Sequence, residues 1–186
     1  KIIFASCEKK FHSDLQGAYQ QENINTTIST IKELQKLNWR IQKKHIEKGL
    51  KKVVINTSFL GRWQTLSENP LTICDIAHNE ESIIQVVSEI NKICCKDLHI
   101  VFGIVKEKNT ENILSLLPKE ARYYFCHANI SRSLNATKLK EKAKAIKLTG
   151  NAFESVDDAL KEAKKMAKKE DFIFIGGSTF VVAEAL

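Results

Sequence analysis

No apolar run in this 186-residue chain reaches membrane-spanning length, and acids and lysines interrupt the longest ones. Prolines number only two, while hydrophobic residues make up 43% of the chain, which excludes a disordered, proline-rich segment. The chain is long enough for one domain with a sizeable core, or for one domain plus a fragment. The apolar part of the opening KIIFASCEKK is far too short for a secretory signal. It reads instead as a strand cut from a longer protein, because a natural start would show Met. There is no G-x-G-x-x-G, no P-loop and no H-E-x-x-H, so the common short motifs for dinucleotide, phosphate and zinc sites are missing. No C-x-x-C spacing occurs among Cys7, Cys74, Cys94, Cys95 and Cys126, and the adjacent pair suits neither an unstrained disulfide nor a zinc site. Five cysteines, an odd number with several in apolar runs, fit a reducing cytoplasm.

Charge is present in excess of one sign. The formal net charge of +7 allows an anionic partner such as a nucleotide, a polyglutamate or a nucleic acid. Most lysines, however, fall in stretches such as LKEKAKAIK and LKEAKKMAKKE, where they alternate with apolar positions as the solvated face of a helix does. Aromatics do not interleave with the basic runs, as a single-strand binder requires, so neither nucleic acid nor a membrane is expected as a partner.

Two segments differ in character. Residues 1–48 read as a short strand (IIFAS), a polar loop and two helices. GAYQQENINTTISTIKELQKL carries Ile24, Thr27/Ile28, Ile31, Leu34 and Leu37 at helical spacing, and RIQKKHIEKGLKKV ends near Gly49. Such a helix pair with one stray strand cannot bury its apolar face alone. KVVINTSF is expected to be a strand or extended linker, and GRWQTLSENP a polar segment rich in turn formers. From there strands alternate with helices: LTICDIA, EESIIQVVSEINKICC with Ile83, Ile84, Val87, Ile90 and Ile93/Cys94 on one side, DLHIVFGIV, TENILSLLP, ARYYFCHA, NATKLKEKAKAI, SVDDALKEAKKMAKK, DFIFIGGS and a closing helix TFVVAEAL. Alternation with near-continuous apolar strands predicts an α/β fold, Rossmann-like, its mostly parallel sheet covered by helices on both faces.

Two strand ends carry the polar groups that chemistry needs. In DIAHNEES, Asp75 ends a strand, Asn79 is placed to cap the next helix, and Glu80 and Glu81 complement its dipole. Two acids there would repel a phosphate, so this turn is not a phosphate cradle. Asp75 and His78 admit two readings: a loop carboxylate bonding backbone amides beside a surface histidine, or an acceptor for hydroxyls or an amine with an imidazole next to it. In FIFIGGSTF a strand runs through Gly-Gly-Ser into a helix. Ser178 is either an ordinary N-cap or, with the free amides, part of a carboxylate or phosphate site. Arg62 in GRWQ suits bidentate contact with phosphate or carboxylate, whereas Trp63 reads as a packing residue. Cys74 lies in a buried-looking strand, and no Ser/His/Asp set is recognisable, so nucleophilic catalysis is not expected.

Taken together, GAYQQEN (17–23), GRWQ (61–64), DIAHN (75–79), FGIVKEKN (102–109) and FIFIGGSTFVVAEAL (172–186) resemble, in order, folylpolyglutamate synthase/dihydrofolate synthase, the folate branch of the Mur-ligase superfamily. The resemblance covers nearly the whole chain. It implies a C-terminal Rossmann-like domain at 61–186, a hinge or linker at 49–60, and at 1–48 the last, helical piece of a central ATP-binding domain whose P-loop lies outside this sequence. It further implies that Asn23, Arg62 and Asp75 contact ATP, near the adenine, the phosphates and the ribose respectively. His78 and Ser178 match positions associated with the incoming glutamate. Arg132 in ISRSLNATKL resembles the family's P-R-A stretch, with Ser131 and Ser133 in place of Pro and Ala. In KEKN, Glu107 and Asn109 replace acids of a family loop that also includes Lys106 and Lys108, and no role is carried over.

The reaction so implied is ATP-dependent amide formation. ATP phosphorylates a carboxylate on dihydropteroate or a folate, the amine of L-glutamate attacks the acyl phosphate, and ADP and phosphate leave. No catalytic group and no metal ligand are expected in this chain; Mg2+ and most phosphate contacts belong to the central domain. A monomer is expected, inactive on its own. Two other readings stand beside this one: the C-terminal domain of a peptidoglycan-precursor ligase, and a non-catalytic Rossmann-like domain that binds a nucleotide or an amino acid.

Overall fold

The computed structural model describes residues 2–6, 9–106 and 109–186. Cys7, Glu107 and Lys108 lie outside the described residues. The chain divides into two compact units, Lys1–Trp63 and Gln64–Leu186.

The first unit is an antiparallel hairpin of β1 (Ile2–Ser6) and β2 (Lys9–Ser13), followed by α1 (Gln20–Lys36), α2 (Lys43–Lys51) and α3 (Val53–Thr57). Two of these elements depart from the sequence reading. KKFHS, read as loop, is a strand held by the ladder to β1. VVINT, read as strand or linker, is a short helix. Its β-branched residues oppose that state locally, but the Asp14 carboxylate accepts from the amides of Val53 (2.9 Å) and Val54 (3.1 Å) and so satisfies two orphan donors of the first turn. The second helix also runs to Lys51, past Gly49. Phe11, Ile24, Ile28 and Leu50 form a small buried cluster. Leu37, Trp39, Ile55, Phe59 and Leu60 stay exposed in this unit.

The second unit holds β3 (Gln64–Glu68), β4 (Leu71–Asp75), α4 (Glu80–Ile90), β5 (Leu98–Phe102), α5 (Thr110–Ser115), β6 (Arg122–Phe125), α6 (Ala136–Ala145), β7 (Thr149–Ala152), α7 (Val156–Met166), β8 (Phe172–Gly176) and α8 (Thr179–Ala185). The six strands form one sheet in the order β3-β4-β8-β5-β6-β7. Only the β3–β4 pair is antiparallel. This is the mostly parallel Rossmann-like fold expected. The central strands are apolar because parallel strands are covered on both faces, and every residue of β8 is buried.

Progression along the chain settles which helices share a face. From β4 through β5 and β6 to β7 the strands advance in one direction, and right-handed crossovers place α4, α5 and α6 together. The return from β7 to β8 reverses the direction, and α7 packs with α8. The core on the α7–α8 side joins Val101, Tyr124, Ile173 and Ile175 of the sheet to Val156, Ala159, Leu160, Ala163, Val181 and Val182 of the two helices. Asn79, Asn135, Ser155 and Ser178 each cap a helix by accepting from amides of its first turn. On α4 the buried face is Ile83, Val86 and Ile90. Ile84, expected to face the core, is exposed instead. The sequence QTLSE (β3) and TGNA (β7) form the two edge strands, neither of which was expected.

Candidate functional site

Strand β8 is inserted between β4 and β5, whose own helices lie on the opposite face. The carboxyl ends of these three strands therefore open where the connections diverge, the place at which open α/β sheets bind ligands. Asp75 pairs in register with Gly176, and Phe102 pairs with the same glycine from the other side. Asp75, Gly177-Ser178 and Gly103 thus share one level of the sheet.

Asp75 is 1% exposed, and its Oδ1 accepts from the Ala77 amide at 2.8 Å. The loop-bonding role is therefore realised. His78 is exposed, with Nδ1 3.0 Å from the Ile76 carbonyl and its amide donating to the Ser82 hydroxyl at 3.1 Å. Asn79 Oδ1 accepts from the Ser82 amide at 2.9 Å, while the Ser82 hydroxyl lies 3.2 Å from the Asn79 amide; this reciprocal box fixes the turn into α4.

Ser178 is the N-cap of α8 and accepts from the Val181 amide at 3.1 Å. Glycine at 177 is required by conformation, φ being +97°, and by space: a Cβ there would lie 2.6 Å from the Gly103 carbonyl oxygen and 2.7 Å from the Phe102 ring. A Cβ on Gly103 would sit 2.5 Å from the Cys126 carbonyl oxygen. These glycines let strand ends approach one another. The close approach that the sequence suggested for a ligand is, at these positions, an approach of backbone to backbone.

The neighbouring loops cross above β5 and β6. Val105 and Ser133 form an antiparallel bridge, the Lys106 amide donates to the Arg132 carbonyl at 2.9 Å, and Lys106 Nζ donates to the Ser131 carbonyl at 2.8 Å. The Arg132 guanidinium stands 4.9 Å from the centre of the Phe180 ring on α8, a cation–π contact beside the Ser178 turn. Glu184 of α8 accepts from the Asn129 amide at 2.7 Å. The sequence carried a signal for Arg132, but none for Glu184.

Of the other residues singled out, Asn23 and Arg62 belong to the first unit. Asn23 is an exposed residue of α1 whose amide donates to Gln20 Oε1 at 2.9 Å. Arg62 is half-buried, its guanidinium 5.7 Å from the centre of the Phe59 ring. Trp63 is buried, as a packing residue should be. Burial pushes the Cys74 thiol up to about 12, with the Asp75 charge adding to the effect, so the thiolate needed for attack is not formed at neutral pH. Among the described residues, no three His, Cys, Asp or Glu side chains gather as a metal site, and no helix is long and apolar enough to cross a membrane.

Sequence and structure comparisons agree with this topology. The family described as "Mur ligase, glutamate ligase domain" matches residues 61–179. A Haloferax volcanii protein named "Probable bifunctional folylpolyglutamate synthase/dihydropteroate synthase" is 30% identical over 174 residues, which is 92% of this chain and 20% of that protein. The E. coli FolC structure with DHPP and ADP superposes with a TM-score of 0.77 at 23% identity, covering 98% of this chain and 42% of that one. The Yersinia pestis bifunctional folylpolyglutamate synthase/dihydrofolate synthase, complexed with AMPPNP and Mn ion, gives a TM-score of 0.76 at 22% identity, covering 97% and 42%. This chain therefore spans well under half the length of these proteins.

Proposed function

The chain belongs to the Mur ligase glutamate ligase domain family, and from that premise we propose that it is part of an ATP-dependent ligase that adds L-glutamate to dihydropteroate or to a folate. The observation that carries the reading is the placement of Asp75, His78 and Ser178, at the ends of the adjacent strands β4 and β8, in a domain of this family. The names of the relatives point to folate rather than muramyl acceptors.

In this reading residues 1–48 are the end of the central ATP-binding domain, 49–60 the linker and 61–186 the glutamate-ligase domain. The uncovered apolar residues of the first unit suit a piece of a larger core. Asn23, Arg62 and Asp75 contact ATP; His78 and Ser178 contact the incoming glutamate. Asp75 already spends one bond on Ala77 and is buried, so ribose hydroxyls reach it only if the Ile76–Asn79 loop yields. A carboxylate has acceptor capacity for several donors, so the two roles are compatible. In this reading Mg2+ is held mainly by the central domain, with the nucleotide phosphates. The protein works as a cytoplasmic monomer, and its share of the chemistry is positioning, completed as the domains close.

The test is ADP release by the intact protein with ATP, Mg2+ and L-glutamate, adding dihydropteroate, tetrahydrofolate or a UDP-muramyl peptide in turn. Release that depends on a pterin and is lost in Asp75→Ala supports the reading. Release with the muramyl acceptor moves the acceptor class, and no release with any acceptor overturns the ligase assignment. The 186-residue chain alone is expected to release none.

A further inference from the structure

The opposite, amino-terminal edge of the sheet carries polar groups that the ligase reading does not use. Five strand spacings of about 4.8 Å separate the outer strands, while α7 and α8, each about 10 Å across, are the two helices on that face. Cover accordingly falls short over the amino-terminal end of β6 and over the edge strand β7. The result is a cavity of about 370 Å³ lined by Arg122, Tyr124, Thr149, Asn151, Glu162 and Met166 among others.

The register explains why these side chains converge. His99, Arg122 and Thr149 form one row across β5, β6 and β7, and Tyr124 pairs with Asn151 two residues on, on the same face. Residues in register point to the same face of a sheet. Tyr124 is held from behind: its hydroxyl lies 2.9 Å from His99 Nδ1, its ring is stacked with Phe153 at 5.9 Å between centres, and His99 Nε2 stands 3.4 Å from Asp171 Oδ2. With the hydroxyl engaged inward and its ring stacked on His99 and Phe153, Tyr124 is a packed, 6% exposed floor to the cavity. Both charged walls are only loosely satisfied. Arg122 Nη2 is 3.9 Å from Asp97, and Glu162 Oε2 is 3.4 Å from Lys165, in exposed pairs that a ligand displaces at little cost.

We propose that this cavity is a binding site for a free α-amino acid. The carboxylate takes the Arg122 fork, the ammonium takes the Glu162 carboxylate, and the Tyr124 ring with Met166 receives the side chain. A lone anion meets Glu162 and a lone cation meets Arg122, so the lining favours a molecule carrying both charges. The volume of about 370 Å³ is enough for one amino acid. This inference stands independently of the ligase reading.

The experiment is an amide-shift titration of the intact, isotope-labelled protein with glycine, L-alanine and L-glutamate, using acetate and methylamine as single-charge controls. Saturable shifts at Gly150 and Asn151 with the amino acids, and none with the controls, are expected. Arg122→Gln and Glu162→Gln should each weaken binding about ten- to a hundredfold, the range of one charge-assisted contact. Equal responses to acetate or methylamine, or unchanged affinity in both variants, overturn the site. Shifts confined to Gly177 and Ser178 with L-glutamate alone also overturn it while leaving the ligase reading intact.

Discussion

Asp75 and Gly176 face each other across the β4–β8 ladder, and a Cβ on Gly176 would lie 3.0 Å from the Asp75 carbonyl oxygen. The last residue of one strand is thereby brought against the first glycine of the other's exit turn. Substituting Asp75 tests what its carboxylate does. Asp75→Ala leaves the buried Ala77 amide without its acceptor, at a cost of about 1–3 kcal/mol in urea denaturation. Asp75→Asn keeps an acceptor oxygen and is expected to retain most of that stability while weakening nucleotide binding by the intact protein. An Asn variant that binds ATP as tightly as the parent withdraws the ribose role.

Glycine substitutions should split by position. Gly177→Ala forces a side chain into positive φ and against the Gly103 carbonyl, and a loss of about 3 kcal/mol is expected. Gly49→Ala fills a place on α2 where a Cβ meets nothing within 4 Å, and a gain of about 0.5–1 kcal/mol is expected. Thermal melts of the two variants moving in the same direction would contradict this.

The buried His99–Asp171 pair makes stability fall with acid in two stages. Burial lowers the His99 pKa from 6.5, the pull of Asp171 only partly opposing it, so between the two values the unfolded chain binds the extra proton and stability is lost as pH drops below 6.5. For Asp171, burial pushes the carboxyl up, but the amides of Lys168 and Asp97 and then His99 pull it further down, leaving it below 3.8. Its contribution is present above 3.8 and lost below it. Denaturation midpoints recorded from pH 8 to 3 check both stages, and His99→Gln should flatten the first.

Thiol reactivity should divide the cysteines by depth. Cys94 is exposed and Cys95 half-buried, whereas Cys74 and Cys126 are enclosed, with burial pushing both thiols up to about 12. Alkylation mapped by peptide mass should reach Cys94 first, and reach Cys74 and Cys126 only after unfolding. Labelling of Cys126 at the rate of Cys94 in native buffer would contradict the packing described.

The central strands and the amphipathic helices could be read from the sequence because burial on both faces demands unbroken apolar runs, as in IVF and FIFIG, and because Asn79 advertises the start of α4. The edge strands could not. QTLSE and TGNA are short and polar, and pairing with β4 and β6 imposes their extended state. VVINT misled for a similar reason: the Asp14 carboxylate that caps its helix lies 39 residues upstream of Val53. At the site, the positions of Asp75 and Ser178 at strand and helix ends were legible, while the bonds to the Ala77 and Val181 amides are local ones. The His99–Tyr124 contact joins residues 25 apart on two strands and leaves no periodic trace. Nor does Glu162, whose place on the cavity wall depends on where α7 crosses the sheet.

The strand at the middle of the sheet is the last one along the chain. Until Phe172–Gly176 leaves the ribosome, β4 and β5 have no partner between them, and the unit consists of a β3–β4 ribbon and a β5–β6–β7 fragment with apolar edges facing each other across a gap. Folding of this unit is therefore a closing event that waits for β8, however early the other strands emerge. The interval before closure is when the chain is most open to pairing with a neighbour.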